Sequence, residues 1–161
     1  MNAEGWLRRK GLQSLLLTGL VWPGLGARLA YAQRMNSGRL QSFEDMVQPI
    51  VKGAPLVNQD VSLEAPILAD NGSLVPVQIQ VASPMSGPDH VTHIYVLSQR
   101  NPVTQMAVFH LGPWNGRAEV STRVRLAGTQ QVVALARLSN GEFRYQQMEV
   151  VITESACVDA S

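Results

Sequence analysis

The 161-residue chain carries 13 basic against 12 acidic groups, a formal net charge of +1, and 45% of its residues are hydrophobic. A balance this close to neutral gives no electrostatic footprint for a nucleic-acid backbone. The single cysteine, Cys157, excludes an internal disulfide, so the core has to hold the fold without covalent help.

Residues 1–32 read as an export signal and are set aside from the fold argument. They combine a basic start at Arg8, Arg9 and Lys10, an apolar run from Leu12 to about Leu25, and Ala30-Tyr31-Ala32 as a small-residue cleavage site. A membrane span needs about 20 apolar residues; this run is shorter and Pro23 interrupts it, so no membrane anchor is expected after processing. Arg8-Arg9 followed by Lys10-Gly11-Leu12 matches the twin-arginine pattern, with Gly11 where Phe is usual, and Arg28 before the cleavage site suits the same route. The expected location is the periplasm, reached already folded. Removing the signal takes away Arg8, Arg9, Lys10 and Arg28 against Glu4 and leaves a slightly acidic chain, residues 33–161, about one domain's worth. Asn71-Gly72-Ser73 fits a glycosylation sequon, but a twin-arginine signal points to a bacterium.

One helix is predicted at the start of the mature chain. Ser42 can cap it, Asp45 stands three residues on, and Phe43, Met46, Val47 and Ile50 share one face. Pro49 makes it short or kinked, and it is expected across an end or open face of a sheet.

Everything after Val57 reads as β-structure. Val75, Val77, Ile79 and Val81 alternate with polar residues, with Pro76 tolerable near the strand start or on an edge. Val91 to Leu97 is apolar on both faces, as a central strand covered on its outer side would be, and Met106 to Leu111 is another strand. Ala118, Val120, Thr122, Val124 and Leu126 form an apolar face against Glu119, Ser121, Arg123 and Arg125; Val132 to Leu138 and Met148 to Thr153 complete the set. The pairs Asn71-Gly72, Asn115-Gly116 and Asn140-Gly141 predict type I′ turns with positive φ at both central residues. The fold class is all-β, an immunoglobulin-like sandwich of about seven strands with a short N-terminal helix. One domain covers residues 33–153, and 154–161 form a tail.

That tail holds Cys157, flanked by Ser155, Ala156, Val158 and Asp159. Cysteine is ordinarily buried, whereas chain ends fray. From Thr153 the tail could present the thiol roughly 13 Å beyond the sheet, far enough to enter a partner's cleft. Position alone leaves two readings open: a presented thiol, or an incidental one that pairs between chains.

Catalytic equipment is sparse elsewhere. His90 and His93 at three-residue spacing on a strand point to opposite faces and do not suit joint metal ligation. His110 reads as a partly buried polar residue and Trp114 as a turn aromatic covering the core edge, with a partner contact as its alternative. Arg123 and Arg125 share a solvent-side stripe that would suit an acidic partner if covered. No nucleophile elbow, zinc-protease helix, dinucleotide loop or phosphate loop occurs, and no cofactor is expected.

Two stretches carry a family resemblance. Leu63-Glu64-Ala65-Pro66-Ile67-Leu68-Ala69-Asp70-Asn71-Gly72 with Val75-Pro76-Val77, and Val120-Ser121-Thr122-Arg123-Val124-Arg125-Leu126-Ala127-Gly128-Thr129-Gln130, resemble SoxY, the thiosulfate-oxidation carrier. So do Ser139-Asn140-Gly141 and a lone cysteine after the last strand. The resemblance implies an immunoglobulin-like sandwich, a heterodimer with a SoxZ-like subunit, and a periplasmic carrier. In such a carrier the cysteine, here Cys157, holds sulfur intermediates covalently while separate sulfur-oxidising enzymes load and unload it. The tail departs from the family's Gly-Gly-Cys-Gly-Gly arm. Ser155-Ala156-Cys157-Val158-Asp159 is closer to the SoxY-related Ala-Ala-Cys-Ile-Glu arm. β-Branched Val158 makes it stiffer than glycine would, and Glu154 and Asp159 put negative charge near the sulfur. An ordinary thiol is only about 3% ionised at pH 7, so loading would depend on an enzyme that activates it. The alternative from another class is a binding or assembly module whose cysteine is vestigial or forms an intermolecular disulfide. A thiol enzyme is disfavoured because no base is recognisable beside the cysteine.

Overall fold

A computed structural model describes residues 40–154. The signal residues Arg8, Arg9, Ala30 and Ala32, and the tail residues Ser155, Ala156, Cys157, Val158 and Asp159, lie outside the described residues.

The chain enters through helix α1, Phe43–Val51. Its start is set by a capping box: the Asp45 amide donates to Ser42 Oγ at 3.1 Å and the Ser42 amide donates to Asp45 Oδ2 at 3.4 Å. Its end is set by Lys52, which turns into the left-handed region at φ 51° while its amide donates to the Gln48 carbonyl at 2.9 Å. With Pro49 inside, it is limited to nine residues.

Nine strands follow: β1 (Leu56–Val57), β2 (Val61–Glu64), β3 (Leu68–Asn71), β4 (Val75–Val81), β5 (Val91–Ser98), β6 (Gln105–His110), β7 (Ala118–Val124), β8 (Gln130–Leu138) and β9 (Phe143–Glu154). They form two sheets. The larger runs β1-β9-β8-β5-β6, with β3 also pairing β9; the smaller is β2-β4-β7. β1 and β3 pair in parallel with opposite ends of β9, β1 at Phe143 and Arg144 and β3 from Val151 onward. Pro76 is accommodated because β2 pairs β4 only from Gln78 to Val81, so that edge is free at Pro76.

Between the sheets lies a core that includes Val75, Val77, Ile79, Ile94, Val96, Val132, Ala134 and Val150. A second core lies on the other face of the large sheet, where Met46, Val47 and Val51 of α1 pack on Leu97, Val133, Leu135 and Phe143. Side chains alternate across a strand, so β5 and β8 bury both faces at Leu97, Val133 and Leu135, while His93 and Tyr95 on the outer face are half-buried and Arg137 is exposed. The two-sided apolar pattern of Val91 to Leu97 is therefore met within the chain at Leu97, and in part at Tyr95, by α1. Each fully buried Val, Leu or Ile contributes about 1.5–3 kcal/mol relative to exposure, so α1 is an integral layer of the domain.

The three Asn-Gly pairs do not form type I′ turns. Only Asn140-Gly141 joins two paired strands, and there Gly141 alone has positive φ, at 87°. The Gly141 amide donates to Leu138 O at 3.1 Å and the Leu138 amide to Glu142 O at 2.9 Å, which is a longer hairpin loop closed by a left-handed glycine. Asn71-Gly72 and Asn115-Gly116 instead lie where the chain passes from one sheet to the other.

Candidate functional site: the base of the C-terminal arm

β9 is held to its last residue, Glu154, on one edge and to Ile152 on the other. On one side β3 pairs it through Leu68↔Val151, Ala69↔Ile152 and Asn71↔Glu154, and Thr153 Oγ1 donates to the Asp70 carbonyl at 2.9 Å. On the other side the β8 ladder ends at Gln130↔Val150. Beyond it Thr129 takes over: its Oγ1 accepts from the Ile152 amide at 3.0 Å and donates to the Ile152 carbonyl at 3.4 Å.

The loop that presents Thr129 is fixed from beneath. Asn101, 9% exposed, and Gln130, 2% exposed, are two of the few buried polar side chains, and burial obliges them to be hydrogen-bonded. Asn101 Nδ2 donates to Arg125 O at 2.7 Å, while Asn101 Oδ1 accepts from the Ala127 amide at 2.9 Å and from Gln130 Nε2 at 3.1 Å. Gln130 Nε2 also donates to Gly128 O at 3.2 Å, and Gln130 Oε1 accepts from the Arg100 amide at 2.8 Å. Two side chains thus bond three backbone groups of the segment from Arg125 to Gln130, and no buried side-chain nitrogen or oxygen among the described residues lacks a partner.

A second loop closes on the first. The Gly72 carbonyl accepts from the Leu126 amide at 2.8 Å. A Cβ at Gly72 would stand 2.3 Å from Leu126 O and 3.2 Å from Ile152 Cγ2; the glycine is required by close approach, not by a positive φ. Asn71 Oδ1 accepts from the Ser73 amide at 2.7 Å, an Asx turn that shapes the same loop. The two stretches carrying the sequence resemblance therefore meet each other and the end of β9. Neither the Asn101–Gln130 lock nor the Thr129 contact was legible beforehand; a polar Asn and Gln near strand ends was the only signal.

The histidines are arranged differently from expectation. His93 and His110 are cross-strand partners on β5 and β6, with ring centroids 4.5 Å apart edge to face, and His93 also stacks on Tyr95 at 5.7 Å. Its partner on β8 is Arg137. Partial burial, then His110 and Arg137, hold the His93 pKa below its usual value of 6.5. His110 is exposed rather than partly buried. His90 precedes β5, and its Nδ1 lies 3.1 Å from the Gly87 carbonyl. Trp114 does not cover the core edge: it is 86% exposed on a single 3₁₀ turn, its ring lying over Gly112, where a Cβ would meet it at 2.4 Å. Arg123 and Arg125 are exposed, and Arg123 lines a shallow groove on the small sheet with Glu64, Pro76, Gln78 and Ser121. Among the described residues no group of three or more His, Cys, Asp or Glu is placed to hold a metal ion, and no helix is long and apolar enough to cross a membrane.

Comparison with known proteins bears on this geometry. The sulfur carrier protein SoxY from Chlorobium limicola f thiosulfatophilum superposes with a TM-score of 0.57 at 27% identity, covering 69% of this chain and 96% of that one. A superoxide reductase (neelaredoxin) from Ignicoccus hospitalis superposes with a TM-score of 0.54, covering 70% of this chain and 99% of that one, but at 13% identity the likeness is one of fold alone. Comparison with curated proteins gives no match. The family model described as "Sulfur oxidation protein SoxY" matches residues 47–157, from within α1 through both sheets and the arm base to Cys157. On that match the chain belongs to the SoxY family of sulfur oxidation proteins.

Proposed function

We propose that this chain is a periplasmic sulfur carrier, not itself catalytic, that holds a sulfur intermediate covalently on Cys157 while separate enzymes act on the cargo. The observation that carries this reading is that the family match runs as far as Cys157, the one cysteine of the chain. Support comes from the arm base. β9 is clamped through Glu154, so the three residues that follow would start from a fixed point. Those residues reach roughly 10 Å when extended.

Loading by exchange needs no outside oxidant. The Cys157 thiolate attacks the outer sulfur of a persulfide- or disulfide-level donor; one S–S bond forms at Sγ, one breaks, and the donor leaves as a thiolate that takes up the proton. A serine at this position cannot form that linkage. Export by the twin-arginine route through Arg8 and Arg9, with processing after Ala32, belongs to the same reading, as does a heterodimer with a SoxZ-like subunit. α1 covers the outer side chains of Leu97, Val133 and Leu135, so such a subunit would use other surfaces, among which Trp114 is 86% exposed.

The test is mass spectrometry of the C-terminal peptide of the protein isolated from sulfur-metabolising cells. An added mass on Cys157 that a reducing agent removes is expected, and Cys157→Ser should lose it together with pathway activity. Free thiol or simple homodimer disulfide throughout, with full activity in the serine variant, would overturn the carrier reading in favour of an assembly module. Replacing Arg8 and Arg9 by lysine should leave unprocessed precursor in the cytoplasm; normal export would exclude the twin-arginine route.

A further inference from the structure

The surface around the end of β9 has a distinct chemistry. Leu68 and Val151 are register partners across the β3–β9 ladder, 59% and 36% exposed, and Ile67 immediately before β3 is 74% exposed. Their backbone is fixed, since the Val151 amide donates to the Ile67 carbonyl at 2.8 Å. None of the three belongs to the cluster packed under α1 or to the core between the sheets. Asp70, two residues beyond Leu68, and Glu149, two residues before Val151, are both exposed, and strand alternation puts them on the same face as Leu68 and Val151. The result is an apolar spot with an acidic border, three residues back along β9 from Glu154, after which the arm departs.

Chain length ties this spot to the arm. Cys157 follows Glu154 by three residues, a reach of roughly 10 Å. An enzyme that takes the Cys157 side chain into its cleft has to bring the mouth of that cleft against the surface around the end of β9. We propose that Ile67, Leu68 and Val151, bordered by Asp70 and Glu149, are the docking site for the enzyme that loads Cys157, and that this enzyme surrounds its cleft with an apolar rim carrying Lys or Arg. The inference rests on the carrier reading of Cys157. The apolar contact supplies affinity and the acidic border supplies steering. A contact this small suits a carrier that must leave after each transfer.

The test measures adduct formation on the mature full-length protein, with periplasmic extract of the source organism as the loading activity and the mass of the C-terminal peptide as the readout. Ile67→Asp lies outside the strands and Leu68→Asp is on β3. Each should raise KM for loading about tenfold or more with kcat within about twofold, as expected for loss of a central apolar anchor. Reversal of Asp70 and Glu149 to lysine should lower kcat/KM and remove its dependence on salt. Alkylation of Cys157 by iodoacetamide should be equally fast in every variant, showing the thiol itself unaltered. Cys157→Ser protein should compete with loading of the wild type, and Cys157→Ser combined with Ile67→Asp should not. Unchanged KM in both Ile67→Asp and Leu68→Asp would overturn the docking site while leaving Cys157 as carrier. A wild-type chain that never acquires the adduct would overturn the carrier reading, and the docking site with it.

Discussion

The Thr129 hydroxyl stands in for the β8 partner that β9 lacks at Ile152: Oγ1 lies 3.0 Å from the Ile152 amide and 3.4 Å from its carbonyl oxygen. With the Thr153–Asp70 bond at 2.9 Å on the opposite edge, it holds the root of the arm from both sides. Thr129→Val keeps the shape and removes both bonds, leaving a part-buried amide without its partner, at a cost of about 1–2 kcal/mol. Denaturant unfolding should show that loss and amide exchange at Ile152 should accelerate, whereas Thr129→Ser should behave close to wild type. Equal exchange in the valine variant would show that the ladder alone holds the strand end.

Gly72 tests the closure of the two loops. The added methyl of Gly72→Ala would stand 2.3 Å from Leu126 O, a backbone atom that cannot rotate away. The substitution should cost about 2 kcal/mol or more. Gly87→Ala, where a Cβ would meet nothing within 4 Å, is the control and should be near neutral in thermal unfolding.

Asn101 carries a heavier load than its neighbours on the surface. Asn101→Leu would leave the Arg125 carbonyl, the Ala127 amide and Gln130 Nε2 short of the partners they now have. With each unmade buried bond costing about 1–3 kcal/mol, a loss of about 3 kcal/mol is expected, together with faster amide exchange from Ala127 to Gln130. A stability loss under 1 kcal/mol by urea titration would mean that water or repacking replaces the network.

His93 gives a pH dependence of definite sign. Its pKa in the folded protein is lowered from 6.5 by burial and by the neighbouring His110 and Arg137. The unfolded chain therefore binds the proton more readily, and stability falls as pH is lowered through 6.5 toward the folded pKa. The groups facing His93 are His110 from β6, Arg137 from β8 and Tyr95 along β5. His93→Gln should flatten the stability profile between neutral and mildly acidic pH. A variant with the same slope as wild type in that range would exclude His93 as its source.

Much of the β-architecture follows from local pattern. The alternation from Val75 to Val81 appears as the strict buried-exposed repeat of β4, and that begun at Ala118 appears in β7 as far as Val124 with Val120 and Thr122 half-buried, because a side-chain period of two is a property of the extended backbone itself. The capping box at Ser42 and Asp45 is equally local, its two bonds spanning three residues. Short strands such as Leu68–Asn71 left little pattern to read, and β3 exists because β9 offers it an edge.

By itself, then, the sequence determined the strand periods, the capped helix, the absence of an internal disulfide and a single thiol following the last strand. Tertiary structure alone decided which faces those elements cover. α1 covers Leu97, Val133 and Leu135 on the outer face of β5 and β8. His93 and His110, seventeen residues apart in the chain, become neighbours through strand register. Thr129, Gly72 and Asp70 come together at the end of β9 because two loops distant in sequence dock there. Pairing across a sheet and closure between loops depend on contacts between residues far apart along the chain, and no local preference encodes those contacts.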